Sequence, residues 1–322
     1  MSKINEQRGD GERSYFKLSI CIPTYNAGRF IEDAIKSVLQ QDFTDFEIFV
    51  VDNASEDNTP RVVQKFGNVH YIRNKHNLGI ARNWNECIRH THGEYIYIFH
   101  ADDLMFPGNL AKKVAFLDKH PRVGFVHSGI ILIDETGHPI GRGWVDGTQI
   151  PEVETANDAY QRLLIQNVIC APTVIVRREC FERLGTFSED YKFVLDWDMW
   201  LRIATVYDVG YINEPLVGYR IHPGQETRNA VRSSLAANEE EQLLSHAIQI
   251  AKQHGLYTDE LRRIAYHLLA LRRIRMAYSM FRTGHYHAGM AWAWRSVKVD
   301  PTLLWDSEIW RAVLKKLFPK SV

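Results

Sequence analysis

Two adjacent aspartates, Asp102 and Asp103, follow directly after a run of apolar and aromatic residues at 95–99. The run contains no breaker and predicts a buried strand. At the carboxyl end of such a strand, where ligands bind in open α/β sheets, paired carboxylates can hold a divalent cation over a bound phosphate. The alternative is that the two acids open the next loop and cap a helix predicted at 109–119. On this stretch alone both interpretations stand.

The elements that must position these acids alternate between strand and helix. Residues 16–22 and 46–51 are predicted strands, and each is followed by a predicted helix. This order predicts a parallel sheet with right-handed crossovers, hence an α/β fold. Further strands are predicted at 69–72, 123–127, 130–134, 173–176, 209–212 and 216–220.

Two further charged groups lie in the first turns of predicted helices. Arg82 falls off the apolar stripe of a helix that begins near Ile80, so its guanidinium would face the ligand edge of the sheet beside free N–H groups. A solvated surface position is the alternative for Arg82. Asp196 and Asp198 open a helix predicted at 194–204, where the helix dipole favours acids.

The chain divides by composition into three predicted parts. Residues 1–16 form a flexible polar tail, 17–230 form the α/β domain, and 231–322 form a helical domain in which Pro and Gly are rare. The last predicted helix carries an apolar stripe within 309–318. That stripe could pack on neighbouring helices, mediate homo-oligomerisation or contact an anionic membrane surface, and core packing is the interpretation we favour.

Charge and cysteine usage exclude several classes. Lys plus Arg number 39 and Asp plus Glu number 39, so no global field directs the protein to nucleic acid. The four cysteines are scattered without a CxxC motif, which favours free thiols over disulfides or zinc. Neither a signal-type apolar segment nor a membrane-spanning run is found in the sequence. We therefore expect a cytoplasmic protein, with peripheral contact at the inner membrane face as the alternative.

Six short motifs, taken in order, resemble those of family 2 glycosyltransferases, which are inverting enzymes of GT-A fold. The motifs are Ile22-Pro23-Thr24-Tyr25-Asn26, Val51-Asp52-Asn53-Ala54-Ser55, Gly79-Ile80-Ala81-Arg82-Asn83, Ala101-Asp102-Asp103, Asp196-Trp197-Asp198-Met199-Trp200 and Tyr219-Arg220-Ile221-His222. They cover roughly residues 18–225. The resemblance implies a mixed, mostly parallel sheet flanked by helices, with an all-α C-terminal extension outside it.

The resemblance also implies a nucleotide site. The loop of Pro23, Thr24, Tyr25 and Asn26 would hold the base, with the Tyr25 ring stacking on a pyrimidine. Asp52 would accept a hydrogen bond from the base N–H, a charge-assisted contact that selects a uracil or thymine edge.

The phosphates and the cation are assigned by the same resemblance. Arg82 would lie near the base and the diphosphate, Asp102 would reach the ribose, and Asp103 would bind Mn²⁺ or Mg²⁺. His222 matches a family histidine near the metal or the diphosphate. The cation would act as a Lewis acid on the leaving group.

The resemblance places the catalytic base at Asp196, which would take the proton of the acceptor hydroxyl. Trp197 and Asp198 would lie on the acceptor side. Leu195 stands where the family often has Glu, which puts in doubt a supporting role for that position but not the base. Asp190 and its neighbour Glu189 are the nearby rivals.

The resemblance therefore implies a metal-dependent inverting glycosyltransferase. It would move a sugar from a UDP- or dTDP-sugar to a hydroxyl of a saccharide or lipid-linked acceptor in cell-surface polysaccharide or glycolipid synthesis. One alternative is a nucleotidyltransferase, although residues 23–28 lack the Gly-rich basic loop that cradles a triphosphate. The other is a non-catalytic module that binds a nucleotide sugar or a protein partner. The absence of a GxGxxG motif after the first strand disfavours a pyridine-dinucleotide enzyme.

Overall fold

The computed structural model describes residues 16–143, 150–225 and 235–305. The predicted tail, apart from its last residue, and the predicted last helix at 309–318 lie outside the described residues. So does the predicted domain boundary between residues 230 and 231, which stays a prediction.

Within its described residues the chain forms two compact units. The first comprises Met1–Val153, Ile169–Phe187 and Gly210–Ile221, and the second comprises Glu154–Val168, Ser188–Val209 and His222–Val322.

A mixed sheet forms the centre of the first unit. The strands along the chain are β1 (Leu18–Thr24), β2 (Phe46–Asp52), β3 (His70–Arg73), β4 (Tyr95–Ile98), β5 (Leu104–Met105), β6 (Val123–Ile133), β7 (Pro139–Arg142), β8 (Val153–Glu154), β9 (Ile175–Arg177) and β10 (Asp208–Arg220). The strand order is β3-β2-β1-β4-β9-β6-β10-β5, and β7 pairs with β6. The pairs within β3-β2-β1-β4 are parallel, whereas the pairs β4–β9, β9–β6 and β10–β5 are antiparallel. The predicted mixed, mostly parallel sheet is confirmed.

Helices pack on this sheet. Those of the first unit are α1 (Ile31–Leu39), α2 (Thr59–Val63), α3 (Ile80–His90), α4 (Asn109–Lys119) and α6 (Arg178–Leu184). The predicted apolar stripe of α1 is buried through Ile31, Ala34, Ile35 and Val38. Burial of such a stripe against apolar strands is the main source of the unit's stability.

Two sequence predictions about the sheet are wrong. Two strands were expected on either side of Ser128 and Gly129, but β6 runs through both residues without a break. A Cβ atom at Gly129 would lie 3.1 Å from the carbonyl oxygen of Glu214 in β10. The glycine therefore marks a close approach of two backbones rather than a turn. The two strands expected at 209–212 and 216–220 are likewise one continuous strand, β10.

The second unit is helical. Its helices are α5 (Ala156–Ile165), α7 (Leu195–Ala204), α8 (Leu235–Gln253), α9 (Asp259–Arg282) and α10 (Tyr286–Val299). Gly284, with φ of +80°, makes the turn between α9 and α10. The expected all-α C-terminal extension is confirmed by α8, α9 and α10. In the described part of the chain no helix combines the length and apolar character needed to cross a membrane.

Candidate functional site

The carboxyl ends of β1, β2 and β3 meet at one edge of the sheet. The strand register pairs Thr24 with Asp52 and Asp52 with Arg73. This edge is where open α/β sheets bind ligands. Two predicted nucleotide-binding residues, Thr24 and Asp52, therefore lie side by side, with Arg73 next in line.

Asp52 is fully buried and its carboxylate is held from three directions. Oδ1 accepts the Ser55 N–H at 2.8 Å, and Oδ2 accepts the Tyr71 hydroxyl at 2.5 Å and Nη1 of Arg73 at 3.4 Å. Burial raises the pKa of Tyr71 to about 12, and the hydrogen bond to Asp52 adds to the rise, so the phenol keeps its proton as donor.

Sequence reasoning missed Tyr71 and Arg73. The signal that could have found them is the placement of β3 beside β2, because a parallel neighbour puts the end of one strand opposite the end of the other. In this register Arg73 stands opposite Asp52.

The loops after β1 and β2 clasp each other. The Asn26 N–H donates to Oγ of Ser55 at 2.9 Å, and the Glu56 N–H donates back to Oδ1 of Asn26 at 2.8 Å. The Gly28 N–H donates to Oδ2 of Asp57 at 2.9 Å. We call these three hydrogen bonds the loop clasp.

Both clasped loops contain strained backbone. Asn26 and Ala54 have φ of +51° and +66°, the left-handed region that side-chain-bearing residues seldom adopt. Such strain persists only where surrounding contacts hold it, and it is common at ligand sites. The loop clasp supplies those contacts.

The remaining predicted residues of the first loop differ in exposure. Tyr25 is 47 % exposed, so its side chain is accessible from solvent. Thr24 is buried, and its Oγ1 has no hydrogen-bond partner among the described residues. Pro23, which precedes it, is half-buried. A buried hydroxyl without a partner is the kind of group that a ligand satisfies.

Arg82 lies in the first turn of α3 and is exposed, which fits both the predicted ligand-facing position and the alternative of a solvated surface residue. Asn53 at the end of β2 fixes the turn before that helix. Its Nδ2 donates to Oδ1 of Asn77 at 2.9 Å and to the Gly79 carbonyl at 3.3 Å. Its Oδ1 accepts the Leu78 N–H at 2.9 Å. The loop after β2 therefore fixes the start of α3, where Arg82 lies.

The acid pair lies just beyond β4, and Arg220 from β10 organises it. The Arg220 N–H donates to Oδ1 of Asp103 at 2.9 Å, and its Nε donates to the Asp102 carbonyl at 2.6 Å. Nη1 of Arg220 also donates to the carbonyls of Asp134 and Glu135, at 3.2 and 2.8 Å. Arg220 and Asp103 are both 1 % exposed. A fully buried arginine bonded to backbone carbonyls is a positioning residue that sequence reasoning did not single out.

Asp103 fits a cation ligand. Its Oδ2 is buried without a hydrogen-bond partner among the described residues. His100, Asp102 and Asp103 each offer one ligand atom, and these atoms lie within 4.8 Å of one another. Burial raises the pKa of Asp103 well above its usual range, and the Asp102 charge adds to the rise, whereas Arg220 opposes it. A buried carboxylate oxygen beside a second carboxylate is stabilised by a bound cation.

The alternative assignment of the two acids, as caps of α4, does not hold. The residue before α4 is Gly108, with φ of +77°, and no side chain caps the helix. Asp103 instead directs its carboxylate to Arg220.

Asp196 lies in the second unit, in the first turn of α7, as predicted. It is half-buried, and its Oδ1 accepts the Trp197 N–H at 2.7 Å. Burial raises the pKa of Asp196 to about 6, while hydrogen bonds from the Trp197 N–H and from the Asn167 side chain oppose the rise. A carboxylate with such a pKa is suited to general base catalysis near neutral pH.

The start of α7 is held by Glu239 of α8. The Glu239 carboxylate accepts the backbone N–H groups of Lys192, Phe193 and Val194, at distances from 2.7 to 3.3 Å. Val194 precedes α7 and offers no capping side chain. A residue distant in sequence therefore supplies the cap, which a local pattern could not reveal.

Trp197, Asp198 and His222 have structural partners within the second unit. Nε1 of Trp197 donates to the Leu163 carbonyl at 2.8 Å. Asp198 is buried and its Oδ2 accepts Nε and Nη2 of Arg202, at 2.9 and 2.8 Å. The His222 N–H donates to Oε1 of Gln225 at 3.4 Å. The roles proposed for these three residues at the acceptor side and the metal stay predictions.

The matching family model and two relatives of this sequence are described as glycosyltransferases. The sequence model of the family described as glycosyl transferase family 2 matches residues 19–185. The putative glycosyltransferase EpsE of Bacillus subtilis is 31 % identical over 195 residues, which are 58 % of this chain and 66 % of EpsE. An uncharacterized glycosyltransferase of Rickettsia typhi is 29 % identical over 215 residues, 66 % of this chain and 67 % of that protein.

Solved structures share the fold. Residues 1–349 of S. aureus TarS in complex with UDP-GlcNAc align with a TM-score of 0.57 at 17 % identity, covering 90 % of this chain and 92 % of that one. The mannosyltransferase PcManGT from Pyrobaculum calidifontis, in complex with GDP-Man and Mn²⁺, aligns with a TM-score of 0.52 at 19 % identity, covering 98 % and 92 %. The predicted GT-A type of fold is confirmed.

Proposed function

Because the chain belongs to glycosyl transferase family 2 and is therefore a glycosyltransferase, we propose that it is a metal-dependent inverting enzyme whose donor is a UDP- or dTDP-sugar. The acceptor in this proposal is a hydroxyl of a saccharide or a lipid-linked saccharide, in the synthesis of cell-surface polysaccharide or glycolipid. The observation that carries the proposal is the buried Asp103, whose Oδ2 has no hydrogen-bond partner among the described residues beside a second carboxylate.

The first unit provides the proposed donor groups. Asp52 accepts the base N–H, Tyr25 stacks on the base, and Arg82 faces the diphosphate. Asp102 binds the ribose. Asp52 is fully buried with Tyr71 and Arg73 on its carboxylate, so base recognition uses a carboxylate already oriented by its neighbours.

Asp103 would hold the cation, and His222 is proposed as a further ligand. A bound Mn²⁺ or Mg²⁺ supplies a Lewis acid that neutralises charge on the diphosphate leaving group. The chain itself contributes the orientation of Asp103, because the Arg220 N–H fixes Oδ1 and leaves Oδ2 for the cation.

Asp196 is the proposed general base. As the acceptor oxygen forms its bond to the anomeric carbon, the bond from that carbon to the diphosphate oxygen breaks, and the hydroxyl proton passes to Asp196. A single displacement of this kind inverts the anomeric configuration. The raised pKa of Asp196, about 6, supports this role because the group remains charged at neutral pH but is a stronger base than an ordinary carboxylate.

The test is a thermal-shift panel of UDP, dTDP, GDP and CMP, each with and without Mn²⁺. Ligand binding to the folded state raises stability by about 2.7 kcal/mol at a hundredfold excess over Kd. We expect a metal-dependent rise in Tm with UDP or dTDP. Equal rises with all four nucleotides would contradict the proposed role of Asp52. No shift with any nucleotide would contradict the donor class.

A further inference from the structure

His100 lies two residues beyond the end of β4 and three residues before Asp103. Sequence reasoning gave it no role. Its surroundings connect it to the proposed cation site, so the inference below rests on the proposed function and specifies the chemistry of its metal.

The spacing of the donor atoms suits a shared ion. Nδ1 of His100 lies 3.8 Å from Oδ2 of Asp103, which is too long for a hydrogen bond. Two ligand atoms that are each about 2.1 Å from one ion are separated by about 3–4 Å. With Asp102 included, the three ligand atoms lie within 4.8 Å of one another. The three side chains are therefore spaced as ligands of one cation.

Burial gives a second, independent indication. The side chain of Asp103 is 1 % exposed, and its Oδ2 has no hydrogen-bond partner among the described residues. Polar atoms buried in this way are usually satisfied by a ligand or an ion. The cluster is thus more than a group of surface acids.

The imidazole ring is also held in place. Its centroid lies 5.3 Å from the ring of Trp84, with an interplanar angle of 47°. Trp84 in turn packs edge to face against Phe187, with ring centroids 5.0 Å apart. A ligand whose ring is fixed by packing keeps its orientation before the metal arrives.

We infer that His100 is a nitrogen ligand of the divalent cation, so that the site favours Mn²⁺ and Co²⁺ over Mg²⁺. Mg²⁺ prefers oxygen ligands in a near-ideal octahedron, whereas the affinity of a site with a nitrogen ligand for first-row transition metals rises from Mn²⁺ to Co²⁺. An Asp102 and Asp103 pair alone would not discriminate in this way. Because of His100, the proposed cation site combines a nitrogen ligand with carboxylate oxygen ligands.

Direct metal binding tests the inference without donor, acceptor or turnover. Full-length protein is titrated with Mn²⁺, followed by the electron paramagnetic resonance of the free ion, and with Co²⁺, followed by visible absorption. Mg²⁺ affinity is measured by competition with Mn²⁺, and every titration is run with and without UDP. We expect His100→Asn to weaken Mn²⁺ and Co²⁺ binding by about tenfold or more, with a smaller loss for Mg²⁺. His100→Asp, which restores an oxygen ligand, recovers Mg²⁺ binding more than Mn²⁺ binding.

Two further variants complete the test. His254→Gln changes an exposed histidine directly after α8, so it retains wild-type affinities. Asp103→Asn loses all three ions. Circular dichroism and thermal unfolding establish that each variant is folded.

Two results would overturn the inference. The first is wild-type Mn²⁺ affinity in folded His100→Asn, and the second is an equal loss of all three ions in that variant. If Asp103→Asn abolishes binding while His100→Asn does not, His100 is no ligand and the proposed transferase function stands. If the wild-type protein binds none of the ions, with or without UDP, both the inference and the proposed metal dependence fail.

Discussion

The backbone N–H of Arg220 donates to Oδ1 of Asp103 at 2.9 Å, across 117 positions of sequence. The last long strand of the sheet therefore fixes the proposed metal ligand. We predict that Arg220→Lys lowers the free energy of unfolding by about 1–3 kcal/mol, because lysine cannot serve the three backbone carbonyls that the guanidinium contacts. Urea denaturation measures this loss, and Mn²⁺ affinity should fall with it. Arg61→Lys, at an exposed position, is the control.

Asp196→Asn should abolish sugar transfer while leaving the affinity for UDP unchanged, because an amide cannot accept the acceptor proton. In the wild-type enzyme kcat/KM should fall about tenfold for each pH unit below about 6, as Asp196 becomes protonated. Isothermal titration calorimetry measures the affinity for UDP. A coupled UDP-release assay measures sugar transfer and the pH dependence of kcat/KM. Asp190→Asn and Glu189→Gln, both exposed, should retain activity. Loss of activity in either of these, with activity retained in Asp196→Asn, would move the base to that rival.

Asp196 also predicts a pH dependence of stability. Its pKa in the folded state, about 6, lies above the unfolded value of about 3.9, so the folded state binds the proton more tightly. The resulting stabilisation is present below pH 4 and is lost as the pH rises through 6. Asp196→Asn should therefore be more stable than wild type at pH 8, by about 1 kcal/mol, with the difference shrinking toward pH 4. Thermal unfolding from pH 4.5 to 8 measures it, and a difference independent of pH would be inconsistent with a raised pKa.

Asp52→Asn should reduce UDP affinity about tenfold or more, because a hydrogen bond to a charged acceptor is replaced by one to a neutral amide. The preference for UDP or dTDP over GDP and CMP should shrink in parallel. Tyr71→Phe is the matched variant, since it removes the donor on Oδ2 but leaves the carboxylate. We expect a smaller loss of UDP affinity for Tyr71→Phe than for Asp52→Asn. Titration calorimetry of both variants with the four nucleotides measures the difference.

Glu239→Gln should destabilise the protein by about 1–2 kcal/mol, because the charged cap on the backbone N–H groups of residues 192–194 is lost. It should also lower kcat, since the same cap fixes the first turn of α7, where Asp196 lies. Glu182→Gln, at an exposed position on α6, should change neither the free energy of unfolding nor kcat. Unchanged kcat in a destabilised Glu239→Gln would limit this residue to a role in folding.

Local patterns in the sequence were sufficient for much of the fold. The apolar runs at β1, β2 and β4 and the stripe of α1 were recognisable because burial imposes a regular spacing on each element. Strand ends then marked the edge that carries Asp52 and Asp103. The break expected at Gly129 failed because a glycine required by a neighbouring strand looks the same as a glycine required by a turn.

Contacts between distant residues were beyond such patterns. Glu239 caps α7 from another helix, and Arg220 reaches Asp102 and Asp103 from another strand. Neither partner can be located without the order and register of the elements. His100 was visible beside the acids, but its relevance depends on the 3.8 Å separation between its Nδ1 and Oδ2 of Asp103.

The loop clasp constrains how donor specificity can be altered in the laboratory. Asn26 and Ala54 keep their left-handed backbones because the loop clasp joins the two loops. The conformation of each loop therefore depends on the other. In a library that randomises residues 24–28 alone, most variants would lose the native conformation of this loop, whichever side chains they carry. Randomising 24–28 together with 53–57 allows compensating pairs, and we expect usable altered specificities to emerge only from the paired design.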